Sequence, residues 1–217
     1  MEIDMINERI RPVEFFRGGK SLETPRLILR KINKNDAEDM YEYSRLEEVT
    51  KYLLWKPFTS LDVSRAYIAT LGRSYKTGKF YDFAVVVKEE NKMIGTCGFT
   101  TVSEKDGAAQ IGFVLNPAYH QKGYGYEAAL EVMRLGFFEF GFNRIEAKCM
   151  SGNVASRALM QKLGMQYEGC ARQLMFVKGV YRDIETCSIL KSEFVEKHSN
   201  QRANIQKPSV ASILMGN

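Results

Sequence analysis

The sequence predicts an α+β fold in which helices flank one mixed, mostly antiparallel central sheet. Its elements follow the order β-α-α-β-β-β-α-β-α-β-β. Two observations lead to this class. Three strand-like segments between Tyr81 and Leu115 are joined by short polar turns, which favour antiparallel neighbours. Beyond them the pattern contains one clear β-α-β crossover, whereas a doubly wound nucleotide-binding fold has helices between most of its strands.

The first elements are a strand and two helices. Arg26–Ile32 alternates apolar and basic residues, which is the period of a half-buried strand. Asn35 and Glu38 resemble a capping box and predict a helix that runs towards Leu54. A second helix is expected after Ser60, because one side of it carries the apolar residues Leu61, Ile68, Leu71 and Tyr75.

The rest of the chain supplies six strands and two helices. The next three strands are Tyr81–Lys88, Met93–Thr100 and Ala108–Leu115. The remaining elements are a helix that follows Tyr126 and ends at Gly141, a strand over Ile145–Met150, a helix over Val154–Leu163, and two strands paired around Lys178-Gly179.

A length of 217 residues fits one domain with extensions. The periodic pattern covers about residues 25–190, and the expected domain is residues 22–190. Residues 1–21 form an N-terminal extension with mixed charges and no sustained period. Residues 191–217 form a C-terminal tail, for which the composition predicts a frayed helix or a disordered peptide.

Composition and charge exclude several classes of protein. No apolar stretch approaches the roughly 18 residues that a membrane helix needs, and the acidic start lacks the features of a signal peptide. A cytoplasmic protein without membrane contact is therefore expected. The formal charge of +5 is small, and the sequence contains no run of five or six like charges. This charge pattern fits a phosphorylated cofactor better than direct binding of nucleic acid.

Metal and disulfide chemistry are not expected either. The cysteines form no CxxC pair, and the chain has only two histidines. The residues concerned are Cys97, Cys149, Cys170, Cys187, His120 and His198.

The segment Gln121–Tyr126 carries the clearest local signal for a ligand. Its glycines and Lys122 stand at the first turn of a helix, where unpaired N–H groups and the helix dipole favour phosphate. A side chain at Gly123 or Gly125 would hold a pyrophosphate away from the backbone. A glycine turn with no ligand is the alternative. No Walker pattern is present, and six residues separate the G-x-G-x-x-A pattern from its strand, which disfavours a dinucleotide site.

Several motifs in order resemble the GNAT superfamily of acyl-CoA-dependent N-acetyltransferases. They are Ile111–Pro117, Gln121–Gly125 and Asn153–Gly164. The opening Leu22–Arg30 and the closing Gly179–Glu185 are similar to the RimJ/RimL branch, which acetylates protein N-termini. The resemblance covers roughly residues 22–190, which makes this segment the predicted N-acetyltransferase domain.

The resemblance implies an enzyme that transfers acetyl from acetyl-CoA, its cosubstrate, to a primary amine. The expected acceptor is the N-terminal α-amine of a protein or peptide, such as a ribosomal protein. The strand ending at Leu115 is expected to splay from Ile145–Met150 and to admit the pantetheine arm, with an oxyanion donor near Val114. The implied cofactor-binding residues are Phe113, Val114, Leu115, Gln121, Lys122, Gly123, Tyr124, Gly125, Tyr126, Asn153 and Ser156.

Two departures from the family affect the expected catalytic residues. Many members carry a tyrosine acid seven residues after the asparagine that matches Asn153, where this chain has Met160. Asn153 and Ser156 remain as polar groups beside the thioester, with helix capping as the alternative role of Ser156. Relatives often carry a glutamate where this chain has Gln110, so Glu146 or an ordered water is expected to serve as the base.

Two other functions stay open. One is a small-molecule N-acetyltransferase that acts on a polyamine or an antibiotic amine. The other is a non-catalytic acyl-CoA-binding protein, which Gln110 and Met160 favour slightly. Trp55–Phe58 follows the first helix, where the family builds its acceptor groove, although a lone Trp is more often part of a core. Either a monomer or a homodimer is compatible with the sequence.

Overall fold

The structure, a computed structural model, describes residues 10–77 and 81–205, with side chains as far as residue 198. Its strands are β1 (Leu22–Glu23), β2 (Leu27–Lys31), β3 (Tyr81–Val87), β4 (Lys92–Ser103), β5 (Ala108–Leu115), β6 (Arg144–Met150), β7 (Gln166–Val177) and β8 (Val180–Leu190). Its helices are α1 (Pro12–Arg17), α2 (Ala37–Ser44), α3 (Glu47–Thr50), α4 (Leu61–Thr77), α5 (Tyr124–Arg134), α6 (Val154–Leu163) and α7 (Lys191–Ile205).

The strands form one eight-stranded sheet in the order β1-β2-β3-β4-β5-β6-β8-β7. Every neighbouring pair is antiparallel except β5 and β6, which run parallel. The helix α5 forms the crossover between these two strands and continues as a π-helical turn over Leu135–Glu139. The predicted mixed, mostly antiparallel sheet is confirmed, with the short strand β1 as an addition that the sequence pattern did not predict.

The two parallel strands separate halfway along their length. Their pairing ends where Ile111 lies opposite Ala147. Beyond that point β5 stays paired with β4 as far as Leu115, while β6 stays paired with β8 as far as Met150. The sheet therefore opens into a cleft between the C-terminal halves of β5 and β6, as the family resemblance implied.

The core includes residues from the segment predicted as an N-terminal extension. All seven residues of β3 are buried. Helix α1 places Phe15 and Phe16 against this strand, and the ring of Phe16 lies 4.7 Å from that of Phe83. The sequence pattern did not predict this helix because six residues are too few to show a period.

The first predicted helix is interrupted in the structure. A short 3₁₀ turn, Lys34–Asp36, precedes α2, and α2 and α3 are separated where Leu46 adopts an extended conformation. The capping box predicted for Asn35 and Glu38 is wrong. It forms between Asn33 and Asp36 because the two guanidinium nitrogens of Arg30 hold the carboxylate of Asp36 at 2.7 and 2.8 Å.

The start of the C-terminal tail is a helix. Helix α7 follows β8 directly and places Phe194 in the core, with its ring 5.0 Å from that of Phe137. Residues 206–217, which the tail prediction also covered, lie outside the described residues.

Candidate active site

Two cavities open to solvent on the two sides of the splayed strands. The loop-side cavity, of about 610 Å³, is bounded by the segment Gln121–Tyr126. The strand-side cavity, of about 550 Å³, is bounded by residues of β3, β4 and β5. The two cavities form one continuous cleft, since both are lined by Tyr52, Leu53, Phe113, Val114, Asn153 and Ser156.

The loop before α5 has the backbone geometry of an anion site. Gln121 and Gly123 adopt left-handed conformations, with φ of 60° and 84°, so the chain turns sharply into the helix. The first-turn N–H groups of α5 have no partner within the helix. Gly125 is required for packing as well, because a Cβ there would lie 3.0 Å from Cδ1 of Leu115.

Arg26 braces this loop, and the sequence analysis did not identify it. Its guanidinium donates hydrogen bonds to the carbonyl of Lys122 at 2.9 Å and to Glu127 at 2.7 Å. The guanidinium also lies 4.5 Å from the ring centroid of Tyr124. These contacts hold the loop open in advance of a ligand.

The structure does not bring the side chain of Lys122 to the cleft. Its ammonium group lies 5.0 Å from the ring centroid of Tyr119, and the residue lines neither cavity. The cation that lines the loop-side cavity is instead Lys162 on α6. Its position within the motif Asn153–Gly164 was the signal that could have identified it.

The N-terminus of α6 lies where the two cavities meet. Asn153 caps the helix, because its Oδ1 accepts a hydrogen bond from the backbone N–H of Ser156 at 3.2 Å. The capping role considered for Ser156 thus belongs to Asn153. Met160 is buried in the wall of the strand-side cavity. Cys149 lies in the same wall, and burial raises the pKa of its thiol to about 11, although a hydrogen bond with Ser156 acts in the opposite direction.

The strand-side cavity combines an aromatic wall with a polar floor. Trp55 and Phe58 contribute to the wall, with their rings 4.9 Å apart, so Trp55 lines the groove and is not a core residue. The other aromatic residues that line this cavity are Tyr43, Tyr52, Tyr67 and Phe113. The floor includes Asp82, Thr96, Thr100 and Gln110.

Asp82 is the floor residue that the sequence analysis missed. Its side chain is buried, and burial raises its pKa to about 7 against the opposing effects of hydrogen bonds from Thr96 and the backbone of Phe83. Among the described residues, none forms an ion pair with Asp82. A single acid within the apolar strand Tyr81–Val87 was the available signal.

Glu146, the carboxylate predicted as a base, lies elsewhere. It forms ion pairs with Lys148 at 2.8 Å and with Arg144 at 3.3 Å, and it lines neither cavity. Gln110 does line the strand-side cavity, where its amide donates a hydrogen bond to Thr100 at 2.9 Å.

The structure places ten of the eleven predicted cofactor-binding residues, all except Lys122, along the loop-side cavity.

Metal-binding clusters and membrane-spanning helices are both absent from the described part of the chain. Within residues 10–77 and 81–205, no three His, Cys, Asp or Glu side chains come close enough to hold a metal ion. No helix in the same ranges has both the length and the apolar character needed to cross a bilayer.

The cleft fits an acyl-CoA molecule in its main features. The unpaired edge of β5 can pair with the amides of a pantetheine arm, and the turn at Gly123 presents helix N–H groups to phosphates. These features define a class of acyl-CoA-dependent acyltransferases. The chain belongs to the GNAT acetyltransferase family, whose domain model matches residues 26–166. Members of this family use acetyl-CoA as the acetyl donor.

Individual proteins agree with this assignment. The chain is 36% identical over 175 residues to the uncharacterized N-acetyltransferase p20 of Bacillus licheniformis, covering 81% of this chain and 98% of that protein. It is 26% identical over 171 residues to the [ribosomal protein uS5]-alanine N-acetyltransferase of Escherichia coli, covering 75% and 86%. The crystal structure of a GNAT acetyltransferase from Bacillus anthracis matches with a TM-score of 0.71 and 29% identity, covering 80% and 99%.

Proposed function

We propose that this N-acetyltransferase acetylates the α-amine of a protein or peptide N-terminus, as members of the RimJ/RimL branch do. The observation that supports acetyl transfer to an amine is the continuity of the two cavities at Val114, Asn153 and Ser156. An acetyl thioester reaching this point from the loop-side cavity would meet an amine entering from the strand-side cavity. Holding the two reactants in contact can supply about 7–11 kcal/mol of the barrier reduction.

Acetyl-CoA would be held by groups that are already positioned. The backbone of Phe113–Leu115 would pair with the pantetheine arm, and the loop Gln121–Tyr126 would take the pyrophosphate. Lys162, whose ammonium lies 4.9 Å from the ring centroid of Tyr126, would add positive charge. The cosubstrate supplies the activated acetyl group, and a backbone N–H near Val114 is the proposed oxyanion donor.

The acid–base equipment of the site favours an α-amine as the acceptor. An α-amine has a pKa of about 7.7–8.0 and a lysine about 10.4, so about 3 kcal/mol less is needed to obtain the neutral α-amine. The chain has Gln110 and Met160 where many relatives carry an acid and a tyrosine. The name of the similar E. coli enzyme gives an alanine of ribosomal protein uS5 as its substrate, and alanine has no side-chain amine.

A small-molecule amine is the second candidate acceptor. The strand-side cavity of about 550 Å³ lies within the size range of small-molecule sites, and it has an aromatic wall with one buried carboxyl group, Asp82. The same features also suit the first side chain of a peptide, so the cavity alone does not separate the two acceptors.

The deciding experiment is an acetyl-transfer assay that measures release of free thiol with peptides and small amines. One peptide begins with alanine and carries an internal lysine, and its matched control has a blocked N-terminus. We expect mass spectrometry to locate acetyl on the α-amine and the control to remain unmodified. Modification mainly at lysine, or turnover of small amines alone, would overturn the N-terminal proposal. Binding of acetyl-CoA without thiol release from any amine would support the non-catalytic alternative.

A further inference from the structure

Asp82 lies in the floor of the strand-side cavity without a cation to balance it. The residue is 9% exposed, and no described residue forms an ion pair with it. A buried carboxylate without a counter-ion is costly, so its pKa rises, and such a group in a cleft is a candidate functional residue that a bound cation would stabilise. A protonated amine entering this cavity would provide that charge.

The groups that face Asp82 from the surrounding elements are neutral. They are the hydroxyl of Thr96 on β4, the phenol of Tyr43 on α2, and the phenols of Tyr67 and Tyr75 on α4. The charged groups nearest to this set are already paired. Asp36 binds Arg30 at 2.7 Å, and Lys148, which lines the same cavity, binds Glu146 at 2.8 Å.

Two glycines lie between Asp82 and the splayed strand on this face of the sheet, and the side-chain methyl of Thr100 packs over the second of them, Gly112. Asp82 lies opposite Gly98 on β4, and Gly98 lies opposite Gly112 on β5. Directly opposed residues point to the same face of an antiparallel sheet, so neither glycine places a side chain between Asp82 and β5. Strands about 4.8 Å apart put Gly112 about 10 Å from the backbone of Asp82. Val114, the proposed oxyanion donor, stands two positions further along β5.

We propose that Asp82 binds the ammonium group of the acceptor and accepts its first proton, which makes it the base of the reaction in place of Glu146. This inference rests on the proposed acetyl transfer to an amine. The aromatic rings of Tyr43 and Tyr67 in the same cavity favour a cation as well. A pKa of about 7 for Asp82 suits proton transfer from an α-ammonium, whose own pKa is about 7.7–8.0.

The proposed reaction conserves protons and electron pairs. The ammonium gives one proton to the carboxylate of Asp82, and the freed nitrogen lone pair forms a bond to the acetyl carbonyl carbon. The carbon–sulfur bond breaks, and its electron pair stays on sulfur. The nitrogen loses its second proton, which ends on the sulfur beside Ser156. Asp82 releases its proton to solvent after the amide leaves, so the products are the amide, the free thiol and one proton.

The main test is the nearly isosteric variant Asp82→Asn. We expect the KM for the acceptor to rise about tenfold or more, because a charge-assisted contact is lost, while binding of acetyl-CoA stays unchanged in calorimetry. In the wild-type protein, protonation of Asp82 should lower kcat/KM below about pH 7. In the variant this fall should be absent, and only the titration of the amine itself should remain. An acceptor KM and an acid limb like those of the wild type would overturn the proposal.

A binding measurement gives a readout that a merely structural role would not change. The probes are the alanine-initiated peptide and its desamino analogue, which lacks the ammonium group. Wild-type protein should prefer the amine, and Asp82→Asn should lose that preference. Equal preference in both proteins would contradict an ammonium contact at Asp82.

A second variant keeps the proposal testable if Asp82→Asn does not fold. A hydrogen bond from Thr96 lowers the pKa of Asp82, so Thr96→Val should move the acid limb of kcat/KM upward by about one pH unit. An unmoved limb would contradict the assignment. The proposed function is tested separately, because it depends only on which amine the wild-type protein acetylates. The tests of Asp82 use whichever amine the wild-type protein accepts, so either proposal can fail without the other.

Discussion

Oδ1 of Asn153 accepts a hydrogen bond from the backbone N–H of Ser156 at 3.2 Å, at the point where the two cavities meet. Because this bond caps α6, the hydroxyl of Ser156 is not needed for capping and faces the cleft beside Cys149. Asn153 therefore fixes the helix end, and the hydroxyl of Ser156 is left available for the proton-donor role that we propose for it.

Ser156→Ala should lower kcat by on the order of tenfold to a hundredfold, with a smaller change in the KM for acetyl-CoA, because a proton donor acts late in the reaction. Steady-state kinetics with both substrates varied would measure this. Ser74→Ala is the matched control, since Ser74 is a half-buried serine on α4 that lines neither cavity. A change confined to the KM would make Ser156 a binding residue.

Gly125→Val should weaken acetyl-CoA binding. A Cβ at this position would lie 3.0 Å from the side chain of Leu115 and 3.5 Å from that of Leu159, so the larger valine side chain must displace Leu115 and fill part of the loop-side cavity. Isothermal calorimetry would give the dissociation constant. Gly72→Val, on α4, is the control because a Cβ there meets nothing within 4 Å. An unchanged dissociation constant for the Gly125 variant would remove the loop from the cofactor site.

Arg26→Ala should also weaken acetyl-CoA binding, although Arg26 lines neither cavity. The loop loses the hydrogen bond to the carbonyl of Lys122, and Glu127 loses its cation. Arg65→Ala removes a comparable exposed arginine, which pairs with Asp62, and should leave binding unchanged. Calorimetric titration of both variants checks this, and equal affinities would show that the bracing is not needed.

Asp82→Asn should stabilise the fold above pH 7 while it impairs turnover. Burial raises the pKa of Asp82 in the folded state, so stability is lost as pH rises from its unfolded value of about 4 to about 7. The neutral amide avoids that loss. A rise in Tm of about 2 °C or more at pH 8, and little gain at pH 4, is expected from thermal unfolding. A lower Tm at pH 8 would indicate a structural carboxylate.

Glu168 should contribute stability that is lost in acid. The guanidinium of Arg144 and the hydroxyl of Ser188 lower its pKa to about 2. The stability is therefore present above the unfolded pKa of about 4 and disappears as pH falls towards 2. The contribution is at most about 1 kcal/mol because the pair is partly exposed. Urea unfolding of Glu168→Gln should match wild type at pH 2 and fall below it at pH 6.

The sequence predicted the sheet and the glycine turn before α5 because both depend on local patterns. Alternating apolar residues define the strands, and glycines at a helix start define the loop. The predicted capping box was wrong because Arg30, on the preceding strand β2, binds the carboxylate of Asp36 and holds it in the capping position. Asp82 was missed since its position depends on tertiary packing, which brings Tyr43 of α2 and Tyr67 of α4 to the same cavity. No local sequence pattern indicates which acidic side chains will face a cavity in the folded protein.

The separation of β5 from β6 gives the cleft two mouths, and this has a kinetic consequence. Neither substrate has to leave before the other enters, and Cys149 is a poor candidate for an acetyl carrier because its thiol stays protonated at neutral pH. Acetyl should thus pass directly between molecules bound side by side. Double-reciprocal plots at several fixed concentrations of the second substrate should intersect, whereas parallel lines would indicate a ping-pong scheme.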